Sequence, residues 1–404
     1  MNAAFGKFQT VIHQETPALC HAIQMKQVTV VGNGVAGWAC AKRLGEQGVA
    51  VTLVGPGLPH DRPPLSKRAL TSGRIPWSTS VDGLAELGIT HVDGMVTDVD
   101  FDARQLTVAT REGEQMLEFG PLVWATGFRF PRPPVPGLDG EGVFQNHEAI
   151  STAELSGRLT ATPEQRVVVI GAGLIGTESA ASVSLMGHSV TLLDMLPRPL
   201  SRLPTAAGDA ALAALDQLGV VFHGECRITD VEHTETGSVV HTTTHGDIPA
   251  DTVIVAAGFG SSLPTTLAPE GGLMVDVDET LRVIGKTDVW ACGDCIRFPH
   301  PRWGRIAIPH WDHAFQSGRH VAQAILGDQA PYVRDPYWFS DIGPLRVQLV
   351  GMAESADTWH DENGLIVGRD QDGHVAAVML INAPARLNEA REYVATGLTP
   401  THVH

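Results

Sequence analysis

The sequence is poor in the features that would place it in several broad classes. Five cysteines in 404 residues, an odd number, offer no disulfide framework and point to a reducing compartment. No apolar run reaches the roughly 20 residues needed to cross a bilayer. The first 24 residues lack the continuous apolar stretch of a secretory signal, so they read as a loose extension, with Met25 a natural start just before the first strand. The expected location is therefore cytoplasmic, without a membrane partner. Basic residues are scarce too: 28 Lys and Arg against 45 Asp and Glu leave a formal charge of -17. That field repels nucleic acid, and it requires any acidic protein partner to find a local basic patch. What remains, 43% hydrophobic and 18% charged, is an ordinary globular composition, and the length corresponds to about two to three domains.

Against these absences stands a repeated unit. Lys26–Val31 and Val49–Val54 are short runs crowded with β-branched residues, and Gly37–Gln47 between them has the character of a helix. Arg166–Ile170, Gly176–Met186 and Ser189–Leu193 repeat this strand–helix–strand order. Each unit carries G-x-G-x-x-G at its first strand–helix turn: Gly32, Gly34 and Gly37, then Gly171, Gly173 and Gly176. The first glycine permits the tight turn, the second lets backbone approach a pyrophosphate, and the third allows close helix–strand packing. The helix N-terminus then presents free N–H groups and a positive dipole end to the phosphates.

Eighteen residues after Gly176 the second strand ends at Asp194, whose carboxylate would accept hydrogen bonds from adenosine ribose hydroxyls and repel a 2′-phosphate. NADH is thus expected over NADPH. Arg198 and Arg202 are either cations within reach of a 2′-phosphate or solvated loop charges. The same count from Gly37 lands on Gly55, followed by Pro56, and neither supplies an acid. Either a nearby residue such as Asp61 compensates, or a water does.

Pro/Gly-rich stretches at 130–142, 264–272 and 298–305 mark candidate crossings between domains. Val81–Leu117 and Val220–Ile248 suggest short alternating strands in small antiparallel sheets. After Leu326 the pattern changes: Arg346–Val350 and Val375–Ile381 are strand-like, and Ala383–Ala395 closes the chain as an expected helix.

Further segments carry a family likeness: DRPPLSK at Asp61–Lys67, LVWATG at Leu122–Gly127, DTVIVAAG at Asp251–Gly258, VWACGD at Val289–Asp294, PHWDHAFQSGRHVAQAILG at Pro309–Gly327 and DPYWFSDIGPLRVQLVG at Asp335–Gly351. With the two glycine turns, these resemble the two-dinucleotide-domain flavoproteins, and within them the NADH-dependent ferredoxin reductases that serve oxygenases. The resemblance implies an α/β fold of two Rossmann-like dinucleotide-binding domains, glutathione-reductase-like, with a small α+β C-terminal domain. The implied order is an extension over 1–24, a split FAD-binding domain over 25–144 and 252–326, an NADH-binding domain over 145–251 and a C-terminal domain over 327–404.

The resemblance also assigns residues. Around FAD it places Gly32, Gly34, Gly37, Arg62, Lys67, Thr126, Gly127, Arg129, Asp294, His310, Trp311, Trp338 and Phe339. Around NADH it places Gly171, Gly173, Ile175, Gly176, Glu178, Asp194, Arg202 and Gly258. Lys67 would approach the flavin and stabilise negative charge on its reduced form, and Glu178 would lie near the nicotinamide; these two are the catalytic candidates. Where the family commonly reads Tyr-Phe-Trp-Ser, this chain has Tyr337-Trp338-Phe339-Ser340, which leaves open which ring lies near the flavin.

The implied activity is an NADH:ferredoxin oxidoreductase, passing electrons through FAD to a [2Fe-2S] ferredoxin and thence to a haem-thiolate monooxygenase or a Rieske dioxygenase. The alternatives are an NADH oxidase or peroxidase, and an NADH-responsive flavoprotein resembling apoptosis-inducing factor. A peroxidase or dithiol enzyme would carry a cysteine where Asp61–Lys67 stands. Cys292 and Cys295 form a C-x-x-C around Asp294 and read as small packing residues, as does Cys40. Eighteen histidines, including His310, His313, His402 and His404, have no accompanying Cys/His framework, so no metal is expected.

Overall fold

The computed structural model describes residues 27–62, 64–268 and 272–397. The extension over 1–24, Met25, His402 and His404 lie outside the described residues. Val28–Val31 is a β-branched strand buried at all four positions, as a strand of a parallel sheet covered on both faces must be. It forms the centre of a five-stranded sheet in the spatial order Val289–Ala291, Leu122–Trp124, Val28–Val31, Val51–Val54, Ile89–Val92, with every neighbouring pair parallel. A second five-stranded parallel sheet runs Val143–Gln145, Thr252–Val255, Arg166–Ile170, Ser189–Leu193, Val221–His223. The two orders match strand for strand, so the duplication seen in the glycine turns extends to the sheets. They differ in the source of the outer strand beside the return strand. The first sheet takes it from beyond the second unit, the second sheet from before its own glycine turn.

Both dinucleotide helices begin earlier than their sequence pattern suggests, at Val35–Gly45 and Leu174–Leu185. The residues between the second and third glycines already form the first helical turn. Two antiparallel three-stranded sheets, within 94–118 and 228–250, lie outside the parallel layers. The antiparallel strands expected within Val81–Leu117 begin at Gly94; before them Val81–Glu86 is a helix capped by Ser80 Oγ, which accepts from Gly83 N at 3.1 Å, and Ile89–Val92 joins the parallel sheet. Likewise Val221–His223 edges the second parallel sheet.

The C-terminal region is a five-stranded antiparallel sheet in the order Tyr337–Ile342, Leu345–Gly351, Val375–Ile381, Leu365–Arg369, Thr358–Glu362. The final helix is Leu387–Thr396, entered through a 3₁₀ turn at Pro384–Arg386 and anchored by buried Ala390, Tyr393 and Val394. The strand Tyr337–Ile342 positions the site described next, because it alternates between two environments.

Candidate functional site: the meeting of two glycine turns

The two turns are built alike. Gly32 and Gly171 have φ of 101° and 100°, the left-handed region that L side chains avoid. A Cβ on Gly37 would fall 1.8 Å from Gly32 O, and one on Gly176 would fall 1.7 Å from Gly171 O, so the third glycine of each turn is fixed by protein packing. A Cβ on Gly34 or Gly173 would meet nothing within 4 Å. Nothing in the polypeptide requires those middle glycines; open space above exposed helix N–H groups is the cradle a pyrophosphate needs.

The ends of the second strands differ. In the second unit Asp194 accepts from Ala172 N at 2.5 Å and from Leu196 N at 2.8 Å, tying the acid to the glycine turn. In the first unit the tie is reversed: Asn33 Nδ2 donates to Pro56 O at 3.1 Å and Gly57 O at 2.6 Å. A Cβ on Gly55 would lie 2.5 Å from Asn33 Cγ, which explains why no acid stands there. Asp61 is committed elsewhere, accepting from Trp311 Nε1 at 2.9 Å. The carboxylate beside the 55–57 loop is instead Asp93, which accepts from Gly57 N at 2.9 Å.

Segment 61–67 runs into a wide, π-type helical turn over Leu65–Ala69 that is kinked at Lys67. The kink carries Lys67 Nζ to 3.0 Å from Glu178 Oε1 and 3.3 Å from Asp341 Oδ2. Glu178 is only 7% exposed, and its charge is compensated by Lys67, by Ser66 Oγ at 2.5 Å and by Ser340 Oγ at 2.6 Å. The two catalytic candidates are thus in direct contact, across 111 positions of sequence (178 minus 67). Ser66, Ser340, Asp341 and Arg346 complete the group and were not marked by any motif spacing.

Strand alternation sends Trp338 and Phe339 to opposite faces, and packing against the second unit decides which of them meets His310. Phe339 stands 5.2 Å from the His310 ring and 5.5 Å from Lys67 Nζ. Trp338 packs instead against the apolar core that includes Leu345, Val347 and the second unit's helices, so the structure does not bring it to His310. His310 caps the helix Trp311–Ile325, with Nε2 3.1 Å from Phe339 O and Nδ1 buried without a partner. Burial pushes its pKa down to about 4, leaving a neutral imidazole. Asp294 likewise has Oδ1 buried and unpartnered, and burial raises its carboxyl to about 6, partly offset by nearby Arg62. Arg62 lies 4.8 Å over the Phe130 ring.

Other assigned residues serve the scaffold around these. Thr126 Oγ1 and Ser262 Oγ are 2.7 Å apart, and Ser262 also donates to Gly127 O at 2.5 Å. Arg129 is exposed and donates to Ser261 O at 2.8 Å, tying the two-stranded ladder Phe128–Arg129 with Gly260–Ser261 rather than pointing toward Asp294. Gly258, with φ of 88°, abuts Pro131 O, and Arg202 lies 5.9 Å over the neighbouring Phe259 ring. Its loop contacts the second glycine turn through Leu200 N to Ala172 O at 2.9 Å. Ile175 lies half-buried in the first turn of the second dinucleotide helix. Arg198 pairs with Asp209 at 3.5 Å on the surface.

Cys292 and Cys295 are fully buried free thiols, like Cys40 and Cys226. Cys295 Sγ donates to Cys292 O at 3.4 Å, and burial pushes its thiol up to about 12 and that of Cys292 well above its ordinary value. Neither is a thiolate nucleophile. Among the described residues no helix is long and apolar enough to cross a membrane.

Two glycine-turn units joined through one Lys–Glu pair, with Cys40, Cys226, Cys292 and Cys295 buried among the described residues, define a flavin- and nicotinamide-dependent oxidoreductase. The chain belongs to the pyridine nucleotide-disulphide oxidoreductase family, whose model matches residues 26–318. It is 30% identical over 346 residues to rhodocoxin reductase of Rhodococcus erythropolis, covering 82% of this chain and 79% of that one. To the ferredoxin reductase component of chlorobenzene dioxygenase from a Cupriavidus species it is 29% identical, covering 90% and 92%. Among solved structures Fdr9 superposes with a TM-score of 0.79 at 30% identity, covering 93% of this chain and 96% of that one. The cofactors are FAD and NAD(H). The open middle glycines, the orphaned Asp294 Oδ1 and the orphaned His310 Nδ1 fit a bound flavin dinucleotide.

Proposed function

We infer that the protein carries electrons from NADH, through FAD, to a [2Fe-2S] ferredoxin that supplies a haem-thiolate monooxygenase or a Rieske dioxygenase. The observation that carries this reading is the Lys67–Glu178 pair at 3.0 Å, which joins the two nucleotide units. The printed functions of the relatives, reductases of rhodocoxin and of a dioxygenase, support the choice of acceptor.

Bound FAD supplies the conversion between a hydride taken from NADH and electrons released singly. The protein's part is position and charge. Gly34 and Gly173 leave room for the two pyrophosphates, and Asp194 is placed for the adenosine ribose of NADH. Asp294, beside Arg62, offers a free carboxylate oxygen to the flavin chain. Neutral His310 and the N-terminus of the helix it caps would hold the flavin ring, and the helix dipole there would favour negative charge on it. Lys67, held by Glu178, would add a cation that stabilises negative charge on the reduced flavin. The setting is cytoplasmic.

The test is steady-state NADH oxidation followed by cytochrome c reduction, with and without a purified [2Fe-2S] ferredoxin. A large stimulation is expected. Rapid oxygen consumption that needs no carrier would replace this reading with an oxidase.

A further inference from the structure

The Lys67 ammonium has two carboxylate partners from distant parts of the chain, and they are unlike. Glu178 is buried, with both oxygens already occupied by Lys67, Ser66 and Ser340. Asp341 is 34% exposed at its side chain, and its second oxygen accepts from Arg346 Nη1 at 3.0 Å. Arg346 also stands 4.9 Å over the Phe339 ring, whose other cationic neighbour is Lys67. Consecutive residues of one strand therefore reach the pair from its two ends, Ser340 through the carboxylate and Asp341 through the ammonium. Two cations and two carboxylates close the group with no net charge.

A ligand that hydrogen-bonds to Glu178 must compete with the three donors that already hold its carboxylate. Were Glu178 the sole anchor of Lys67, that competition would release the ammonium just as a reduced flavin needs it. We propose that Asp341, backed by Arg346, is a positioning residue that keeps the Lys67 ammonium at the flavin while Glu178 turns to the incoming nicotinamide. This rests on the placement of FAD and NADH given above.

The test uses the flavin-loaded protein and the variants Asp341→Asn, Arg346→Gln, Glu178→Gln and the Asp341→Asn/Glu178→Gln pair. The flavin midpoint potential is titrated, and flavin reduction by NADH is followed by stopped flow to separate the limiting rate from the half-saturating NADH concentration. The potential should rise in Asp341→Asn, where a negative charge beside the ammonium is lost, and fall in Arg346→Gln, where a positive one is lost. Asp341→Asn should raise half-saturating NADH about three- to tenfold, because Glu178 is then held by an ammonium with nowhere else to go. In the Glu178→Gln background the same change should have no effect on half-saturation, since no Lys67–Glu178 ion pair then remains for Asp341 to compete with. Potentials that shift together or not at all, or a penalty that persists in that background, would overturn the assignment. A yellow protein reduced by NADH with unshifted potentials would sink only the role of Asp341. A chain that takes up no flavin would sink the function proposed above.

Discussion

Alanine at Gly34 and alanine at Gly37 are the same chemical change three residues apart, yet they should fail in different ways. At Gly37 the new Cβ would lie 1.8 Å from Gly32 O, which is 1.2 Å inside the 3.0 Å limit of real contacts, and the atom it strikes is backbone in a turn with φ of 101°. The helix has to move, at a cost of about 3 kcal/mol or more, roughly a hundredfold in the folding equilibrium. At Gly34 the backbone, φ -70° and ψ -169°, suits an L residue and the Cβ meets nothing within 4 Å. A few tenths to about 1 kcal/mol lost by replacing glycine at an N-cap is offset by about 0.4–1 kcal/mol from reduced freedom of the unfolded chain. The flavin-free protein should therefore melt within a few degrees of the parent. The methyl group instead occupies the place of the pyrophosphate, so FAD affinity should fall by at least tenfold. Thermal melting of the flavin-free protein and a fluorescence titration with FAD measure the two effects separately. If Gly34→Ala destabilises the flavin-free chain as much as Gly37→Ala, or leaves FAD affinity unchanged, the middle glycine is a packing residue and the cradle argument is wrong.

Two further outcomes follow from individual carboxylates. Asp194→Ala should lower kcat/KM for NADH by about ten- to a hundredfold, the worth of charge-assisted hydrogen bonds to ribose, and lower that for NADPH much less; an unchanged preference would remove Asp194 as the selector. Asp294 titrates near 6 in the folded protein against an ordinary 3.8, because burial disfavours its charge. Its folded pKa is raised, so the folded state binds the proton more tightly and the flavin-free protein loses stability as pH climbs from about 4 to about 6, by up to about 3 kcal/mol. Asp294→Asn should flatten that slope, making the flavin-free variant the more stable one at pH 7 and equal near pH 4, as chemical denaturation at each pH will report.

Both strand–turn–helix units were legible because their signals are local: a short β-branched run, glycines at fixed offsets and a helix immediately behind. Burial of Cys292 and Cys295 was legible for the same reason, since both flank the turn that carries Asp294. The helix Val81–Glu86 escaped although its Ser80 cap stands in plain sequence and Val81, Leu84 and Ala85 follow a helical i, i+3, i+4 spacing, because a run of six residues is too short to stand out from the alternating strands that follow it. Alternation likewise places Trp338 and Phe339 on opposite faces but does not say which face meets His310; packing against the second unit decides that. Asp341 and Arg346 left no local trace. Lys67 and Asp341 are 274 positions apart, and only the return of the C-terminal sheet makes them neighbours.

The reversed tie between each turn and its second strand makes the two nucleotide seats hard to interconvert. Restoring an acid at position 55 would drive its side chain into Asn33, and moving Asn33 aside would free the carbonyls of Pro56 and Gly57 that it holds. No single substitution along that route leads to a second ribose-gripping acid at this point. A protein that retains one dinucleotide and exchanges the other thus has a built-in safeguard against the wrong tenant, located in a single asparagine of the first turn.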